Sequence, residues 1–504
     1  MGAVAVGGLA PPAVRSAYAQ TSPQVFGRMF PTLPPFAPAS DKVLAALRDI
    51  GKPGGLMDAR DNLAAGPVAL VADLSLSANN PNNDTHTAGT TFMGQFFDHD
   101  MTFDTGSPLG VPTPPEQIRN GRTPSFDLDS VYGAGPTGSR QLYNPSDQAK
   151  LRIEHGGLFE DLPRDSTATA IVADPRNDEN LIIGGLQAAF ILFHNNAVDL
   201  VRRQNFGIST SAAFREARRL TTWHYHWLIL KQFLPQFVGQ AMVDDVLRNG
   251  RRFYRPPDGG AFMPVEFQGA AYRFGHSMVR PSYRANRTGD PGGNPATGAP
   301  QFFGLIFDPA GQGQSDPVDL RGNARAPRRF IGWETFFNFG DGEVRPNKRI
   351  DTKLSTPLFN LPLITLPGGT PPTSLPARNL LRGVTWSLPS GQAIAQAMGV
   401  TPLSANDLKE LNGYGLQFQT STPLFYYVLK EAELVAGGLT LGPVGGRIVA
   451  EVFIGLLQTD PGSWVKSQPS FRPTLPPGNR SGAFTMNDFL RFAGVDPASR
   501  ARAA

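Results

Sequence analysis

The sequence has no cysteine, and this absence excludes several kinds of site at once. Disulfides, thiolate-bound metals, iron–sulfur clusters and cysteine nucleophiles are all ruled out. A metal must therefore be bound by histidine, carboxylate, hydroxyl or carbonyl groups, or be carried by a cofactor. Histidines are few as well, at seven, so each of them has to be considered as a candidate ligand or catalytic group.

Lysine and long apolar runs are also scarce. Only nine of the 46 basic residues are lysines, the formal net charge is +4, and no run of five like charges occurs. A nucleic-acid-binding protein normally concentrates its positive charge on one face or segment, so that class is disfavoured. No stretch reaches the roughly 18 consecutive apolar residues that suggest a membrane span. We therefore expect no transmembrane segment, and we expect the longest apolar stretch, Leu181 to Phe193, to form a buried helix.

The first twenty residues are small and mostly apolar. They end in Ala17-Tyr18-Ala19, which has the small-x-small pattern of a signal-peptide cleavage site. A charged n-region is missing, however, and Arg15 interrupts the apolar part. The alternatives are the remnant of an export signal and a plain N-terminal extension. We favour export, to the periplasm or the extracellular space.

The chain has enough apolar material for a large core, because 40% of its 504 residues are hydrophobic and 34 are phenylalanine. With 55 glycines and 47 prolines it should also contain much irregular connecting structure. Helical periodicity recurs along the chain, whereas alternating strand patterns are few. The prediction is a mainly α fold with long ordered loops and little β structure. We place one large domain at residues 40–495, preceded by an extension with a Pro-rich arm (1–39) and followed by a tail (496–504).

The predicted helices combine an amphipathic pattern with a start or a stop signal. Ser40 is expected to cap a helix that Gly51 ends, and Asp174-Pro175 is expected to open a long helix that reaches about residue 204. The segment from Ser211 should form a second long helix that Pro235 breaks or kinks. Shorter helices are predicted over 269–279, 391–398, 404–411, 424–435, 445–458 and 485–493.

One histidine lies in a polar motif, Gln95-Phe-Phe-Asp98-His99-Asp100. On a helix the positions i, i+3 and i+4 share a face, so Gln95, Asp98 and His99 would point into one cavity while Asp100 points elsewhere. The alternative is a helix end that is merely rich in polar capping groups.

Two further motifs contain pairs of residues three positions apart. Arg273 and His276 would share a face of the predicted helix, and Gly275 would allow a close approach to the backbone beside His276. The alternative is an amphipathic helix with one buried histidine. Arg176 and Glu179 would likewise share a face in the first turn after Asp174, although both residue types also serve helix ends.

A fourth motif presents oxygen-bearing side chains at every second position, namely Thr123, Ser125, Asp127 and Asp129. An extended loop with this spacing can direct its oxygens around one point. Together with Asp100 it offers three carboxylates, a hydroxyl and backbone carbonyls, which suits Ca²⁺ with its roughly 6–8 oxygen ligands. No EF-hand loop is present, and the alternative is an ordinary polar turn.

The order of these motifs resembles that of a known family. GQFFDHDMTF, RTPSFDLDSVYG, DPRNDEN with a later FHN, AYRFGHSMVRP and LPARNLLRG follow one another as in the animal-type haem peroxidases of the peroxidase–cyclooxygenase superfamily. The resemblance extends from about residue 40 to 495, and the chain looks like a bacterial-type member.

The resemblance implies a role for individual residues. On the distal side of the haem it implies His99 as the distal histidine, Arg176 as the distal arginine and Gln95 as a residue that orders water or halide. The residues implied to bind the cofactor are His276 (proximal iron ligand), Asn379 (acceptor of its ring N–H), Arg382 (haem propionate), Arg273 (three positions before the ligand), and Asp98 and Glu179 (esters to haem methyl groups). The implied calcium ligands are Asp100, Thr123, Ser125 through its carbonyl, Asp127 and Asp129.

The function implied is a haem b peroxidase that also binds Ca²⁺. It would reduce hydrogen peroxide through a ferryl intermediate, oxidise a small organic donor, a halide or thiocyanate, and take part in the response to oxidative stress. A neutral imidazole can move the peroxide proton and a fixed guanidinium can stabilise the charge on the departing oxygen. The alternatives are a fatty-acid dioxygenase or peroxygenase of the same superfamily and a non-catalytic, calcium-stabilised structural or adhesion protein.

Three positions depart from the better-known members of the family. Asn180 stands where one mammalian enzyme has a methionine bonded to a haem vinyl group, so that link cannot form here. Arg273 stands where cyclooxygenases have a radical-forming tyrosine, which disfavours the dioxygenase alternative unless another tyrosine serves. Asp129 replaces a serine of the mammalian enzymes and should strengthen cation binding.

Overall fold

Helices dominate the computed structural model, as the sequence predicts. It describes residues 26–503 except 105, 258–259, 288–300, 312, 363–370 and 477–481. The predicted cleavage site at Ala17-Tyr18-Ala19 therefore lies outside the described residues. Strands within the described part pair only in twos, so no extended sheet forms.

The α-helices of the described residues are α1 (Asp41–Ile50), α2 (Gly66–Ala72), α3 (Ala88–Met101), α4 (Asp129–Tyr132), α5 (Gly135–Gly138), α6 (Leu181–Gln204), α7 (Thr210–Leu228), α8 (Leu234–Val238), α9 (Gln240–Asn249), α10 (Val265–Gly269), α11 (Leu375–Thr385), α12 (Gly391–Met398), α13 (Leu424–Ala436), α14 (Pro443–Thr459), α15 (Trp464–Ser467), α16 (Met486–Ala493) and α17 (Pro497–Ala503). The strands are β1 (Phe26–Gly27), β2 (Asn82–Thr87), β3 (Tyr143–Asn144), β4 (Asp147–Leu151), β5 (Glu154–His155), β6 (Glu160–Asp161), β7 (Met263–Pro264), β8 (Ser282–Asn286), β9 (Phe302–Leu305) and β10 (Pro346–Lys348).

Helix α6 lies in the core and packs against α3, α7 and α16. It is long and apolar enough to cross a membrane, but 83% of its apolar window is buried inside the fold. Phe190 on α6 stacks on Phe96 of α3 at a ring-centroid distance of 4.4 Å and contacts Phe489 of α16 at 4.5 Å. The expectation of a buried helix at Leu181 to Phe193 is therefore met, and the phenylalanine-rich composition is explained by this core.

The single helix predicted from Asp174 is in fact two elements. A 3₁₀ turn covers Pro175–Asp178, with Asp174 as its N-cap accepting from the backbone N–H of Arg176. Helix α6 begins only at Leu181, where the Asn180 side chain accepts from two backbone N–H groups of the first turn. Two capping residues six positions apart thus mark two separate starts, one of a 3₁₀ turn and one of an α-helix.

The helix predicted over 269–279 is wrong. Helix α10 ends just before Ala270, whose φ of −145° and ψ of −69° are not helical, and Ala271–His276 is a 3₁₀ helix. Side chains three apart are eclipsed in a 3₁₀ helix. Arg273 and His276 consequently still share a face, although not for the reason that was expected.

Two other predicted helix boundaries change. Within the region 404–411, Ser404 bonds to the Asp407 carboxylate and a 3₁₀ helix forms later, over Lys409–Tyr414. The break expected at Pro235 is a π-helical turn at Ile229–Phe233, after which α8 contains the proline in its first turn. A π turn is a common way to interrupt an α-helix without ending it.

Both ends of the described chain contact the body. Strand β1 pairs in parallel with β7, and Phe36 donates its backbone N–H to the carbonyl of Leu388, so the described part of the Pro-rich arm contacts the domain. At the other end Arg500 of α17 bonds to the carbonyl of Ile331 and to Glu160. The predicted tail is therefore packed against the domain.

Candidate active site

A cavity of about 290 Å³ lies between α3 and the 3₁₀ helix Ala271–His276. Its wall contains seven of the side chains predicted from the sequence: Gln95, Asp98, His99, Arg176, Glu179, Arg273 and His276. These residues come from three separate motifs of the chain, and the fold brings them together around one space. Asp100 faces away from the cavity, as the helical spacing predicted, and belongs to a separate group of carboxylates.

His99 is held with one ring nitrogen free for chemistry. Its Nδ1 lies 2.9 Å from Asn177 Oδ1, and the Asn177 amide donates in turn to Gln187 Oε1, which fixes the oxygen towards the ring. Nδ1 therefore carries the proton, and Nε2 keeps its lone pair. Burial, aided by Arg176, lowers the pKa of His99 to about 3, so the ring is neutral around neutral pH. His99 is thus prepared to accept a proton.

Arg176 is fixed by Asp174. Its Nε donates to Asp174 Oδ1 at 3.0 Å and its Nη2 to Oδ2 at 2.7 Å, while Nη2 also reaches the carbonyl of His99 at 3.0 Å. The guanidinium lies 4.1 Å from the ring centroid of Phe103. Burial raises the pKa of Asp174, but the adjacent arginines outweigh it and hold that pKa below its ordinary value. Arg176 is therefore presented to the cavity in one orientation.

Two carboxyl groups complete this side of the cavity. Burial raises the pKa of Glu179 to about 8, against the opposing charge of Arg176, and burial also raises the pKa of Asp98. Glu179 Oε1 lies 3.9 Å from His99 Nε2 and accepts from the Gln95 amide. Near neutral pH, Glu179 is consequently available in its protonated form.

On the opposite side, His276 is the ligand candidate. Its Nδ1 lies 2.8 Å from Asn379 Nδ2, while Asn379 Oδ1 accepts from Arg273 Nη1 at 2.8 Å. The resemblance implies the reverse orientation, in which the amide oxygen accepts the ring N–H, and turning the amide over would take that oxygen from Arg273. Burial, with Arg273 adding to it, lowers the pKa of His276 to about 3, so this ring is also neutral. A neutral imidazole that accepts at Nδ1 carries its proton on Nε2, so binding of a metal by Nε2 requires the reversed amide, whose oxygen accepts the Nδ1 N–H.

The expected propionate partner Arg382 is engaged elsewhere. Its Nη1 pairs with Asp104 Oδ2 at 2.7 Å, and the described cavity wall contains Arg273 and Arg378 instead. Arg273 is buried, which lowers its pKa to about 10, and its hydrogen bonds within the described residues go to uncharged oxygens. A buried cation with neutral partners suits an anionic ligand group. Sequence reasoning missed Arg378, which lies one helical turn before Arg382.

Three carboxylates gather beneath the end of α3. Asp100, Asp127 and Asp129 each offer an oxygen, and these atoms lie within 4.8 Å of one another. Burial raises the pKa of all three, to about 7 for Asp127, with neighbouring aspartates adding to the effect. Thr123 donates its hydroxyl to Asp129 at 3.3 Å, whereas the Ser125 hydroxyl donates to Asp460 at 3.1 Å. Closely spaced buried carboxylates are the donor set that a hard cation prefers.

The residues of the cavity fit a haem. The neutral imidazole of His276 shares the cavity wall with the neutral imidazole of His99 and the guanidinium of Arg176, and Ile306, Phe307 and Leu358 are apolar members of the same wall. Haem needs such an axial ligand, an apolar enclosure and cations for its propionates.

Solved structures share this architecture. Peroxidase A from Dictyostelium discoideum superposes with a TM-score of 0.57 at 15% identity, over 91% of this chain and 93% of that one. Fatty acid alpha-dioxygenase from Oryza sativa gives a TM-score of 0.61 at 14% identity, over 96% and 82% of the two chains. At such identities the likeness concerns the fold, and the fold is that of the mainly helical haem peroxidases.

The sequence comparison gives the same indication. Residues 81–310 match the family model described as animal haem peroxidase. Thyroid peroxidase from Rattus norvegicus is 25% identical over an alignment of 199 residues that covers 34% of this chain. The matched segment is 21% of that relative's length, so the chain spans only part of it.

Proposed function

We propose that this protein is a haem peroxidase. It reduces hydrogen peroxide and oxidises a small organic donor, a halide or thiocyanate. The observation that carries this proposal is that His99, Arg176 and His276 line one cavity. Haem b would be held by His276 Nε2, with Asn379 orienting the ring, and by Arg273 and Arg378 or Arg382 at its propionates.

The chain's own residues supply the proton chemistry. Bound haem would supply the electrons that peroxide accepts. His99 Nε2 takes the proton of the peroxide and returns it to the departing oxygen, because a neutral imidazole can act first as base and then as acid. Arg176 stabilises the charge on that oxygen from a fixed position. Gln95 orders water in the cavity, and Asp98 and Glu179 are the carboxyl groups available for ester bonds to the haem.

The carboxylate group is proposed to bind Ca²⁺, with Thr123 and the Ser125 carbonyl as further ligands. Asp100 adjoins His99 in α3, so a bound cation would restrain the end of this helix. Loss of the cation is therefore expected to impair the peroxidase reaction. Export from the cytoplasm stays a prediction that rests on the Ala17-Tyr18-Ala19 segment.

The test is an absorption spectrum of the haem-loaded protein before and after one equivalent of peroxide. The His99→Ala variant should bind haem normally and react with peroxide about 10²- to 10⁴-fold more slowly, since it loses general acid–base catalysis. The His276→Ala variant should instead lose normal iron coordination and show a changed spectrum before peroxide is added. Equal, mild effects of both substitutions would refute the assignment. A protein without a Soret band after reconstitution would favour the structural alternative.

A fatty-acid dioxygenase is the second candidate, favoured by one feature of the cavity. Tyr272 lines the wall one position before the place of the cyclooxygenase tyrosine, and Ile306, Phe307, Leu358 and Leu361 form an apolar flank beside it. Incubation with linoleate and oxygen, without added peroxide, separates the two functions. Oxygenated lipid would support the dioxygenase, and peroxide-dependent oxidation of a small donor alone would support the peroxidase.

A further inference from the structure

A buried chain of side chains joins the carboxylate group to the distal arginine. Arg122 Nη1 donates to Asp129 Oδ1 at 3.3 Å, its Nε to Asp174 Oδ2 at 2.8 Å, and its Nη2 to the carbonyl of Ala173 at 2.9 Å. Asp174 in turn binds Arg176 through both carboxylate oxygens. Arg122 thus contacts a cation-site carboxylate and the carboxylate that orients Arg176.

Asp174 is the shared element of this chain. Its Oδ2 accepts from Arg122 and Arg176 together, and the residue is fully buried, so water does not compensate for a lost partner. A shift of Arg122 therefore changes the geometry of the same carboxylate that sets the position of Arg176. Paired, buried ionic groups of this kind are strongly coupled.

Occupancy of the carboxylate group decides how strongly Asp129 attracts Arg122. When Asp100, Asp127 and Asp129 lack a cation, nearby guanidinium groups are their main source of positive charge, and Arg122 is drawn towards Asp129. A bound divalent cation supplies that charge, and Arg122 can then bond more closely to Asp174. This competition makes the position of Arg122 dependent on the cation.

We propose that Arg122 is a positioning residue that couples cation binding at Asp100, Asp127 and Asp129 to the orientation of Arg176. The inference rests on the proposed function, because the orientation of Arg176 matters for the reaction at the distal side of the haem. The cation site is thus linked to the distal side in two ways. One link is the sequence neighbourhood of Asp100 and the His99 imidazole, and the other runs through Arg122 to the Arg176 guanidinium.

The chain offers a matched control in Arg164. This arginine binds Asp178 and Asp161, and it holds the same 3₁₀ turn from its other end. Both arginine side chains are buried, with 5% exposure for Arg164 and 11% for Arg122. Within the described part of the chain, the hydrogen bonds and ion pairs of Arg164 do not involve the three carboxylates. Removing it should cost stability in a comparable way without touching the cation site.

The first experiment uses the full chain without haem. Calcium dissociation constants are measured by calorimetric titration for the wild type, Arg122→Met, Arg176→Lys and the double variant. Arg176→Lys keeps the charge but disrupts the bidentate contact with Asp174. Because coupling between two sites is reciprocal, the Arg176→Lys substitution should change the calcium affinity about threefold or more when Arg122 is present. In the Arg122→Met background the same substitution should change the calcium affinity by clearly less. Equal changes in both backgrounds would overturn the proposal, as would a wild type that binds no calcium.

The second experiment reads the distal side through a probe. Fluoride affinity of the haem-loaded protein is measured spectroscopically in calcium and in chelator, because an anion on the iron responds to a nearby donor such as Arg176. We expect about a tenfold weakening on calcium removal in the wild type and in Arg164→Met, which lies within the range typical of coupling between two sites. The Arg122→Met variant should have lost most of this calcium dependence. Full calcium dependence in that variant would overturn the coupling.

The two experiments separate failure of the coupling from failure of the proposed function. The protein could show the expected calcium affinities in all four variants and yet take up no haem. That result would contradict the peroxidase assignment and leave the link between the cation site and Arg176 intact. Should Arg122→Met not fold, Arg122→Lys keeps the charge and loses the fork that spans two carboxylates. The same loss of calcium dependence is expected from it.

Discussion

The two sides of the cavity are held by different forces. Around His99 and Arg176 the structure consists of buried ionic contacts, in which Asp174 is paired with two arginines. Around His276 one cation, Arg273, bonds to neutral oxygens rather than to a carboxylate, and aromatic contacts such as Tyr272 stacked on Phe267 at 4.8 Å and 11° surround it. The distal side is therefore positioned mainly by charge, and the proximal side mainly by packing and by hydrogen bonds to Asn379.

This difference fits the chemistry that we propose for each side. The distal side has to meet a charge that develops during the reaction, and pre-oriented ionic groups do this without reorganising. The proximal side has to hold one ring in place, which close packing does well. The comparison predicts that charge changes will damage the distal side most, whereas the proximal side will tolerate the loss of single polar groups.

The largest effect is expected from Asp174→Asn. This substitution leaves Arg122 and Arg176 buried without their shared carboxylate, and breaking a buried ionic pair costs about 3–5 kcal/mol. The free energy of unfolding, measured by urea denaturation at neutral pH, should fall by that amount. Asp165→Asn is the control, because Asp165 is exposed and bonds mainly within its own turn. A loss below about 1 kcal/mol for Asp174→Asn would contradict the ionic description of the distal side.

A smaller, pH-dependent effect is expected from Glu179. Its pKa in the folded protein is about 8, raised by burial from 4.5, so the folded state holds the proton more tightly than the unfolded state. The contribution of Glu179 to the free energy of unfolding is fully present below pH 4.5 and is lost as the pH rises through 8. The slope attributable to this group can reach about 1.4 kcal/mol per pH unit.

Glu179→Gln should remove this slope from the stability curve of the haem-free protein between about pH 5 and 8. The measurement is urea denaturation at several pH values, with Glu116→Gln as control, because Glu116 is exposed and does not line the cavity. An unchanged pH dependence in Glu179→Gln would show that the distal side does not depend on this carboxyl group as we describe.

Much of the candidate site was predictable because its residues follow helical spacing. Gln95, Asp98 and His99 occupy one face of α3, and spacing alone placed them in one cavity. The spacing of Arg273 and His276 predicted the right shared face on the wrong kind of helix, because residues three apart approach one another in both α and 3₁₀ geometry.

Other parts could not be predicted, since they depend on contacts between distant segments. The sequence around residues 378–382 does not indicate that Arg382 pairs with Asp104 or that Arg378 lines the cavity instead. The Asn177 contact with His99 likewise joins residues 78 positions apart. For Arg122, the sequence shows an arginine beside an acidic motif, but only the fold shows that it also reaches Asp174.

The smallest effect is expected on the proximal side, from Tyr272→Phe. The Tyr272 hydroxyl donates to the carbonyl of Gly94 at 2.9 Å, and both groups are uncharged. Losing one neutral hydrogen bond costs about 0.5–1.5 kcal/mol, while the ring keeps its stacking on Phe267. Urea denaturation should show this modest loss together with the pH dependence of the wild type. A loss as large as that of Asp174→Asn would mean that both sides of the cavity rely equally on polar contacts, and the contrast between them would have to be abandoned.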